Sequence, residues 1–255
     1  MSKAGRWKFG SIGDSVREQY FAIAEADLAS SIQPMEDLES KAFVDLRRLG
    51  SLSGRRVLEV GPGLGHLTIL MEQEGAVVDV LDLVEPYLDK IRPKISGKGF
   101  CADVQDLKIS NEYDLVVMCD VLEHVLRPAD ALLSVFDSLK IGGRLYLRSP
   151  SFEPLIQYSA RLGCPWEAVH LRTYTPYLMA LEAVSAGFTI AQGPTGRRSP
   201  FRQVDYRFTG SRWWRELREG LRNAYRSDAS APEGDEKQSK PFARKLGRYL
   251  WAKWN

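Results

Sequence analysis

The chain has 255 residues, a net charge of +2 and a hydrophobic content of 44%, which suits one globular α/β domain with additions. It contains no run of 18 apolar residues and no apolar stretch behind the N-terminal residues, so we expect neither a transmembrane helix nor a signal peptide. The cysteines Cys101, Cys119 and Cys164 form no CxxC pair and leave an odd one out, which predicts reduced thiols in a cytoplasmic protein.

The N-terminal part, residues 1–50, is predicted to form a helical cap. Helices are expected at 15–30 and 35–49. Pro34 lies near the start of the second helix, which has an apolar side formed by Leu38, Phe43, Leu46 and Leu49.

The stretch 57–68 reads V-L-E-V-G-P-G-L-G-H-L-T, a buried strand followed by a glycine loop and a helix start. Gly61, Gly63 and Gly65 permit sharp bends and a close approach of a ligand. A dinucleotide motif would place its third glycine one residue later. Glu59 would repel phosphates but favour an ammonium group, so the stretch points to a nucleoside that carries an amino acid, S-adenosylmethionine.

Alternating strands and helices continue to about residue 192. Strands are predicted at 56–60, 77–82, 100–102, 113–118, 144–148 and 188–192, and helices at 65–74, 86–95, 128–139 and 176–186. This alternation predicts an α/β fold with a doubly wound, mainly parallel sheet, whose ligands bind at the carboxyl ends of the strands.

Four blocks carry a family resemblance. The stretch 57–68 resembles motif I of the class I S-adenosylmethionine-dependent methyltransferases, and Y-D-L-V-V at 113–117, D-V-L-E-H-V at 120–125 and L-K-I-G-G-R-L at 139–145 are similar to their later motifs. The D-V-L-E-H block resembles the branch that includes the ubiquinone-type O-methyltransferases. The resemblance covers about residues 50–192. It implies a Rossmann-like domain at 51–210 with an antiparallel seventh strand at 202–208.

The resemblance also implies the cofactor contacts. Asp82, 21 residues after Gly61, would bind the ribose hydroxyls, with Leu83 beside it. Asp103 would bind the adenine amino group, with Asp106 as a competitor, and the Val104 N–H would serve a ring nitrogen. The Cys119 carbonyl would hold the methionine amino group, while its side chain fills space.

Two histidines are candidate catalytic residues. His124 follows the fourth strand beside the expected methyl group and could take a proton from a hydroxyl; the alternative is a structural role in the loop. His170, in an H-x-R-x-Y-T block similar to that of relatives, could act on the substrate side or support a helix start. We expect no metal site, because Glu123 and His124 are adjacent and the other histidines are distant in sequence.

Residues 211–255 form a basic tail, and residues 196–255 together carry a net charge of +8. Residues 227–239 are predicted to be a disordered linker, followed by a helix at 240–254 with one aromatic and apolar side. That helix could lie peripherally on an anionic membrane or pack on the domain. A nucleic-acid partner is not favoured, because no known module is present.

The function that these observations favour is methyl transfer to a small-molecule acceptor, with oxygen as the favoured acceptor atom. Two alternatives remain at this point. The acceptor could be a sugar or glycan precursor, or the chain could be a non-catalytic cofactor-binding scaffold of the same fold.

Overall fold

The computed structural model describes residues 18, 20–22, 24–25, 28–29, 35–151, 170–192, 203–210 and 215–216. Packing within the chain divides it into two units, Met1–Ser211 and Arg212–Asn255, and the fold below belongs to the first. The predicted linker 227–239, the helix at 240–254 and Cys164 lie outside the described residues. The predicted domain boundaries at 50 and 210 stay predictions.

The described part of the first unit alternates strands and helices. The strands are β1 (Arg56–Val60), β2 (Val77–Asp82), β3 (Gly99–Cys101), β4 (Tyr113–Cys119), β5 (Leu139–Pro150), β6 (Phe188–Gln192) and β7 (Gln203–Gly210). The helices are α1 (Met35–Leu49), α2 (His66–Gln73), α3 (Glu85–Ile91), α4 (Pro128–Ser138) and α5 (Pro176–Ser185), with single 3-10 turns at Arg92–Lys94, Val104–Asp106 and Leu122–His124.

These strands form one seven-stranded sheet in the order β3-β2-β1-β4-β5-β7-β6. Strands β1 to β5 pair in parallel, and β7 is antiparallel to both β5 and β6. The chain moves outward from β1 to β3 and then returns to β4. The switch point therefore lies between β1 and β4, where such sheets bind ligands. The predicted doubly wound fold, with its antiparallel last strand, is confirmed.

Several observed boundaries differ from the predicted ones. Strand β5 begins at Leu139 rather than at 144, because Leu139 already pairs with Tyr113. The pairing register of β4 with β5 then shifts, so that Leu115 pairs with Arg144, after the two glycines. Helix α3 ends at Ile91 rather than at 95, since Pro93 has no N–H to donate to the helix. Strand β3 ends at Cys101 rather than at 102.

Helix α1 packs against the sheet through Ala42 and Leu49, which share a core cluster with β1, β2, β4 and β5. The predicted apolar side was partly wrong, because Phe43 is 51% exposed. The buried side also carries a carboxylate, Asp45. Among the described residues, no helix combines the length and the apolar character that a bilayer-crossing segment requires.

Candidate functional site

The motif I loop joins β1 to α2 at the switch point. Gly61, Gly63 and Gly65 all have positive φ, a conformation that residues with a Cβ rarely adopt. At Gly61, φ is 68°, and a Cβ there would lie 2.6 Å from Cγ2 of Val121. The loop after β4 thus contacts the motif I loop directly, and a larger residue at 61 would force the two apart.

Glu59 lies near the end of β1 and is only 4% exposed. The hydroxyl of Thr68 on α2 donates a hydrogen bond to its Oε2. Burial raises the pKa of Glu59 to about 7. This carboxyl group is therefore balanced between its neutral and ionised forms near neutral pH, and a nearby cation would favour the ionised form.

Asp82 ends β2, beside the motif I loop. The N–H of Gly61 donates to the carbonyl of Leu81, which holds the two strand ends together. The Oδ1 of Asp82 accepts a hydrogen bond of 3.1 Å from the N–H of Val84. Burial raises the pKa of Asp82 to about 6, while backbone N–H groups of Val84 and Leu83 act in the opposite direction.

Asp103 follows β3 and caps the next 3-10 turn. Its Oδ1 accepts from the N–H of Gln105 at 2.9 Å, and its Oδ2 accepts from the Gln105 side-chain amide at 2.7 Å. Val104, beside it, is buried. The carboxylates of Asp82 and Asp103 thus follow neighbouring strands, at the edge where we expected the nucleoside.

Cys119 ends β4, as predicted, and burial raises the pKa of its thiol. Its Sγ lies 4.0 Å from Oδ2 of Asp45 on α1. A protonated thiol in this position is a space-filling group with a weak donor rather than a nucleophile.

The two candidate catalytic histidines are in contact, although 46 positions separate them in the sequence. The ring centroids of His124 and His170 are 4.5 Å apart, in an edge-to-face arrangement. The ring of Tyr20, from the N-terminal part, lies 5.4 Å from that of His124. Distance in sequence, one of our two reasons for expecting no metal site, therefore does not keep His170 away from His124.

Hydrogen bonds to main-chain carbonyls hold the His170 segment in place. The N–H of Leu171 donates to the carbonyl of Glu123 at 2.9 Å. The guanidinium of Arg172 donates to the carbonyls of Leu122, Val125 and Leu126. Residues 170–172 thus form a strap across the turn at Leu122–His124, and this strap places His170 against His124.

Glu123 is 1% exposed and adjoins this pair. Its Oε2 accepts a hydrogen bond of 2.8 Å from the hydroxyl of Ser149 on β5, and its Oε1 lies 3.9 Å from Nε2 of His124. One donor atom each from Glu123, His124 and His170 lie within 4.8 Å of one another. A tetrahedral zinc ion with bonds of about 2.1 Å needs ligand atoms about 3.4 Å apart, so the three groups would have to move inward to hold one.

Sequence reasoning missed four residues of this region: Tyr20, Asp45, Asp120 and Arg148. One signal was present in the sequence, since Arg148 directly follows the apolar run 145–147 in β5. A buried charge of this kind requires a partner. The partner, Asp45, lies 103 positions earlier, where nothing in the local sequence points to it.

Comparison with known proteins agrees with this geometry. Residues 35–192, more than half of the chain, match the family described as methyltransferase domain. The chain belongs to this family. The predicted family is thereby confirmed, and S-adenosylmethionine is the methyl donor that fits it.

Among curated relatives, the ubiquinone biosynthesis O-methyltransferase of Nitrosococcus oceani is 26% identical over 147 residues, which cover 55% of this chain and 62% of that protein. The matched stretch thus spans about three fifths of the relative's length.

Solved structures share the fold at low identity. The 1,6-didemethyltoxoflavin-N1-methyltransferase of Burkholderia thailandensis, with bound S-adenosylhomocysteine, has a TM-score of 0.63 and 15% identity, over 82% of this chain and 93% of that one. The [4+2]-cyclase SpnF has a TM-score of 0.56 and 15% identity, over 68% of this chain and 80% of that one. These three similar proteins are an O-methyltransferase, an N-methyltransferase and a cyclase, so the fold alone does not determine the reaction.

Proposed function

We propose that this protein is an S-adenosylmethionine-dependent methyltransferase that acts on an oxygen of a small-molecule acceptor. One observation carries the proposal. Glu59, the motif I glycines and Asp82 meet at the switch point, and His124, on the turn that follows the adjoining strand β4, contacts His170 on the strap at 170–172. The proposed site of the methyl donor and a group able to accept a proton thus lie beside each other, at the ends of neighbouring strands.

The cofactor and the protein contribute different parts of the chemistry. The sulfonium of the cofactor supplies an activated methyl group, so the protein's share is orientation, desolvation and removal of the acceptor's proton. Asp82 would bind the ribose hydroxyls, Asp103 and the Val104 N–H the adenine, and Glu59 and the Cys119 carbonyl the amino-acid end. The lone pair of a neutral imidazole would take the proton of the acceptor hydroxyl, with His124 as the first candidate and His170 as the second.

The direct test has two stages. Calorimetric titration with S-adenosylhomocysteine measures cofactor binding, and release of S-adenosylhomocysteine from S-adenosylmethionine in the presence of phenolic or sugar acceptors measures transfer. Binding with turnover on a phenolic acceptor supports the proposal, whereas turnover on a nucleotide sugar alone supports the glycan-precursor alternative. Binding without turnover on extracts rich in small molecules supports the scaffold alternative.

A second proposal concerns the tail and depends on its sequence alone. Residues 240–254 combine five Lys and Arg with aromatic residues, so we infer peripheral contact with an anionic membrane surface. The full-length protein should sediment with vesicles rich in anionic lipid, and a truncation after Ser227 should not. Added salt should weaken the binding without abolishing it, because apolar burial is not screened. Equal sedimentation of both proteins at low salt would make the tail a packing element instead.

A further inference from the structure

Three charged side chains connect helix α1 to the sheet edge at the switch point. Arg148 on β5 contacts Oδ2 of Asp45 through Nη1 and Oδ2 of Asp120 through Nη2, the latter at 2.6 Å. The other oxygen of Asp45 accepts a hydrogen bond of 2.7 Å from the hydroxyl of Tyr146. Asp45 is 2% exposed and Arg148 is 7% exposed, whereas the side chain of Asp120 is 34% exposed. Of these three charged side chains, only that of Asp120 thus reaches the surface of the site.

Asp120 occupies a strained position at the end of β4. Its φ is 54°, a left-handed conformation that residues with a Cβ rarely adopt. Two hydrogen bonds with Arg148 of β5 stabilise it there. The guanidinium of Arg148 donates to the Asp120 carboxylate, and the N–H of Asp120 donates to the Arg148 carbonyl at 2.9 Å. The next residue, Val121, contacts Gly61 of the motif I loop. Asp120 is therefore held beside the expected amino-acid end of the cofactor.

The charges of this region favour a cationic ligand. Glu59, Cys119 and Arg148 lie on one face of three neighbouring strands, as the pairing of β1 with β4 and of β4 with β5 shows. Asp45 covers them from α1, and both Asp45 and Arg148 act electrostatically on Glu59. Within this group, three carboxyl groups (Glu59, Asp45 and Asp120) stand against the guanidinium of Arg148. An ammonium group would compensate the excess, and a carboxylate would add to it.

We propose that the carboxylate of Asp120 binds the ammonium group of the methionine part of the cofactor, and that Arg148 and Asp45 are positioning residues for it. This inference rests on the proposed function, because it takes S-adenosylmethionine as the ligand. It assigns the amino-acid end of the cofactor to a side chain, in addition to the Cys119 carbonyl. It also gives helix α1 a role in cofactor binding, since α1 supplies the carboxylate that holds Arg148.

Two ligands that differ only at the amino-acid end test the proposal. S-adenosylhomocysteine carries the ammonium and carboxylate groups of an amino acid, and 5′-methylthioadenosine ends at the methyl thioether and lacks both. Asp120→Asn should weaken S-adenosylhomocysteine binding about tenfold or more and leave 5′-methylthioadenosine binding unchanged, because a charge-assisted hydrogen bond is lost at one end only. Asp45→Asn should also weaken S-adenosylhomocysteine binding relative to 5′-methylthioadenosine binding, but by a smaller factor.

Asp114→Asn is the matched control. Asp114 is also an aspartate of β4, but it pairs with Lys140 at the opposite end of the strand, so both affinities should equal those of the wild type. Thermal unfolding checks that each variant is folded. If Asp45→Asn fails to fold, Arg148→Lys replaces it, because lysine keeps the charge but cannot contact both aspartates in the same way.

Equal losses for both ligands in Asp120→Asn would make Asp120 a structural brace and overturn the proposal. Unchanged affinity for S-adenosylhomocysteine in the folded variant would overturn it as well. A wild-type protein that binds neither ligand would contradict the proposed function itself. A wild-type protein that binds both ligands, with no change of their ratio in the variants, would contradict only this inference.

Discussion

The cofactor side and the acceptor side of the candidate site are built in different ways. On the cofactor side, Glu59, Asp82 and Asp103 each lie at or next to a strand end, and each carboxylate accepts a hydrogen bond from a residue at most nine positions away. On the acceptor side, His124 meets His170 and Tyr20, and Glu123 meets Ser149. These three acids of the proposed cofactor side are therefore held by local contacts, whereas the proposed acceptor side exists only once distant segments have packed together.

This contrast suggests a division of labour. A site made of local turns can recognise the same ligand in many proteins of one fold, because it travels with the motif. A site made of distant segments changes whenever one of those segments changes. The variants below test whether cofactor binding and acceptor chemistry can be separated in this way.

The largest effect is expected at His124. If His124 is the base, His124→Ala should lower kcat by roughly 10²–10⁴ while the affinity for S-adenosylhomocysteine stays within about twofold of the wild type. Steady-state kinetics and calorimetry on the same preparation measure the two quantities. His66→Ala is the matched comparison, because His66 lies in the motif I stretch at the start of α2 and shows what loss of an imidazole on the proposed cofactor side does.

A His124 variant with near wild-type turnover would return this residue to a structural role. The same measurement on His170→Ala would then decide whether its neighbour is the base. If both variants lose cofactor binding to the same extent as turnover, the two sides of the site are not separable.

The next effect concerns the ribose. Asp82→Ala should weaken cofactor binding by about 1–3 kcal/mol, because charge-assisted hydrogen bonds to the ribose hydroxyls are lost. The fold should survive, since the carboxylate contributes little to the core, and circular dichroism verifies this. Asp79→Ala provides the contrast. Asp79 is buried and accepts hydrogen bonds from Arg56, the N–H of Lys98 and the hydroxyl of Tyr113, so its loss should reduce thermal stability instead.

A smaller effect is expected from pH. Because the pKa of Glu59 is about 7 in the empty site, a ligand whose ammonium group lies near Glu59 must displace a proton below that pH. The affinity for S-adenosylhomocysteine should therefore fall about tenfold between about pH 8 and pH 6, and Asp82, with a pKa of about 6, adds a further decrease at the acidic end. Affinity should fall, not rise, towards acid pH, because the ligand binds best when the two carboxylates are ionised.

Glu59→Gln tests the origin of that dependence. The amide cannot ionise, and its oxygen can still accept the hydrogen bond from Thr68, so the pH profile should become nearly flat above about pH 7. A variant that retains the full wild-type profile would show that another group carries the proton.

No effect is expected from removing metal ions. Dialysis against a chelator should leave turnover unchanged, because the reaction as proposed needs only the cofactor and a base. A loss of activity that zinc restores, together with zinc binding that His170→Gln abolishes and His66→Gln does not, would contradict this expectation. It would show that Glu123, His124 and His170 close around an ion after all.

The contrast between the two sides also explains what the sequence could predict. Hydrophobic periodicity and glycine spacing are local signals. The parallel strands, the motif I loop and the positions of Asp82 and Asp103 at strand ends were therefore predictable from the sequence. Glu59 was placed by its position in motif I, although burial sets its pKa and burial is a property of the packed structure.

Contacts between distant residues were not predictable in this way. The ion pair of Asp45 with Arg148 and the contact of His124 with His170 depend on how α1 and the strap at 170–172 pack, and no periodic pattern encodes such packing. The length of β5 was missed for a related reason, since a strand that continues through two glycines is stabilised by its neighbours rather than by propensity.

The strap at 170–172 has a consequence for how such an enzyme could acquire new substrates. Its anchor, Arg172, holds the turn through the main-chain oxygens of Leu122, Val125 and Leu126, which every amino acid possesses. Of these three positions, Leu122 and Val125 are buried, whereas Leu126 is 41% exposed, so the side chain at 126 can be exchanged while the anchor stays available. A saturation library at Leu126, with Arg172 kept, should yield a high fraction of folded proteins and is a natural starting point for the directed evolution of acceptor preference.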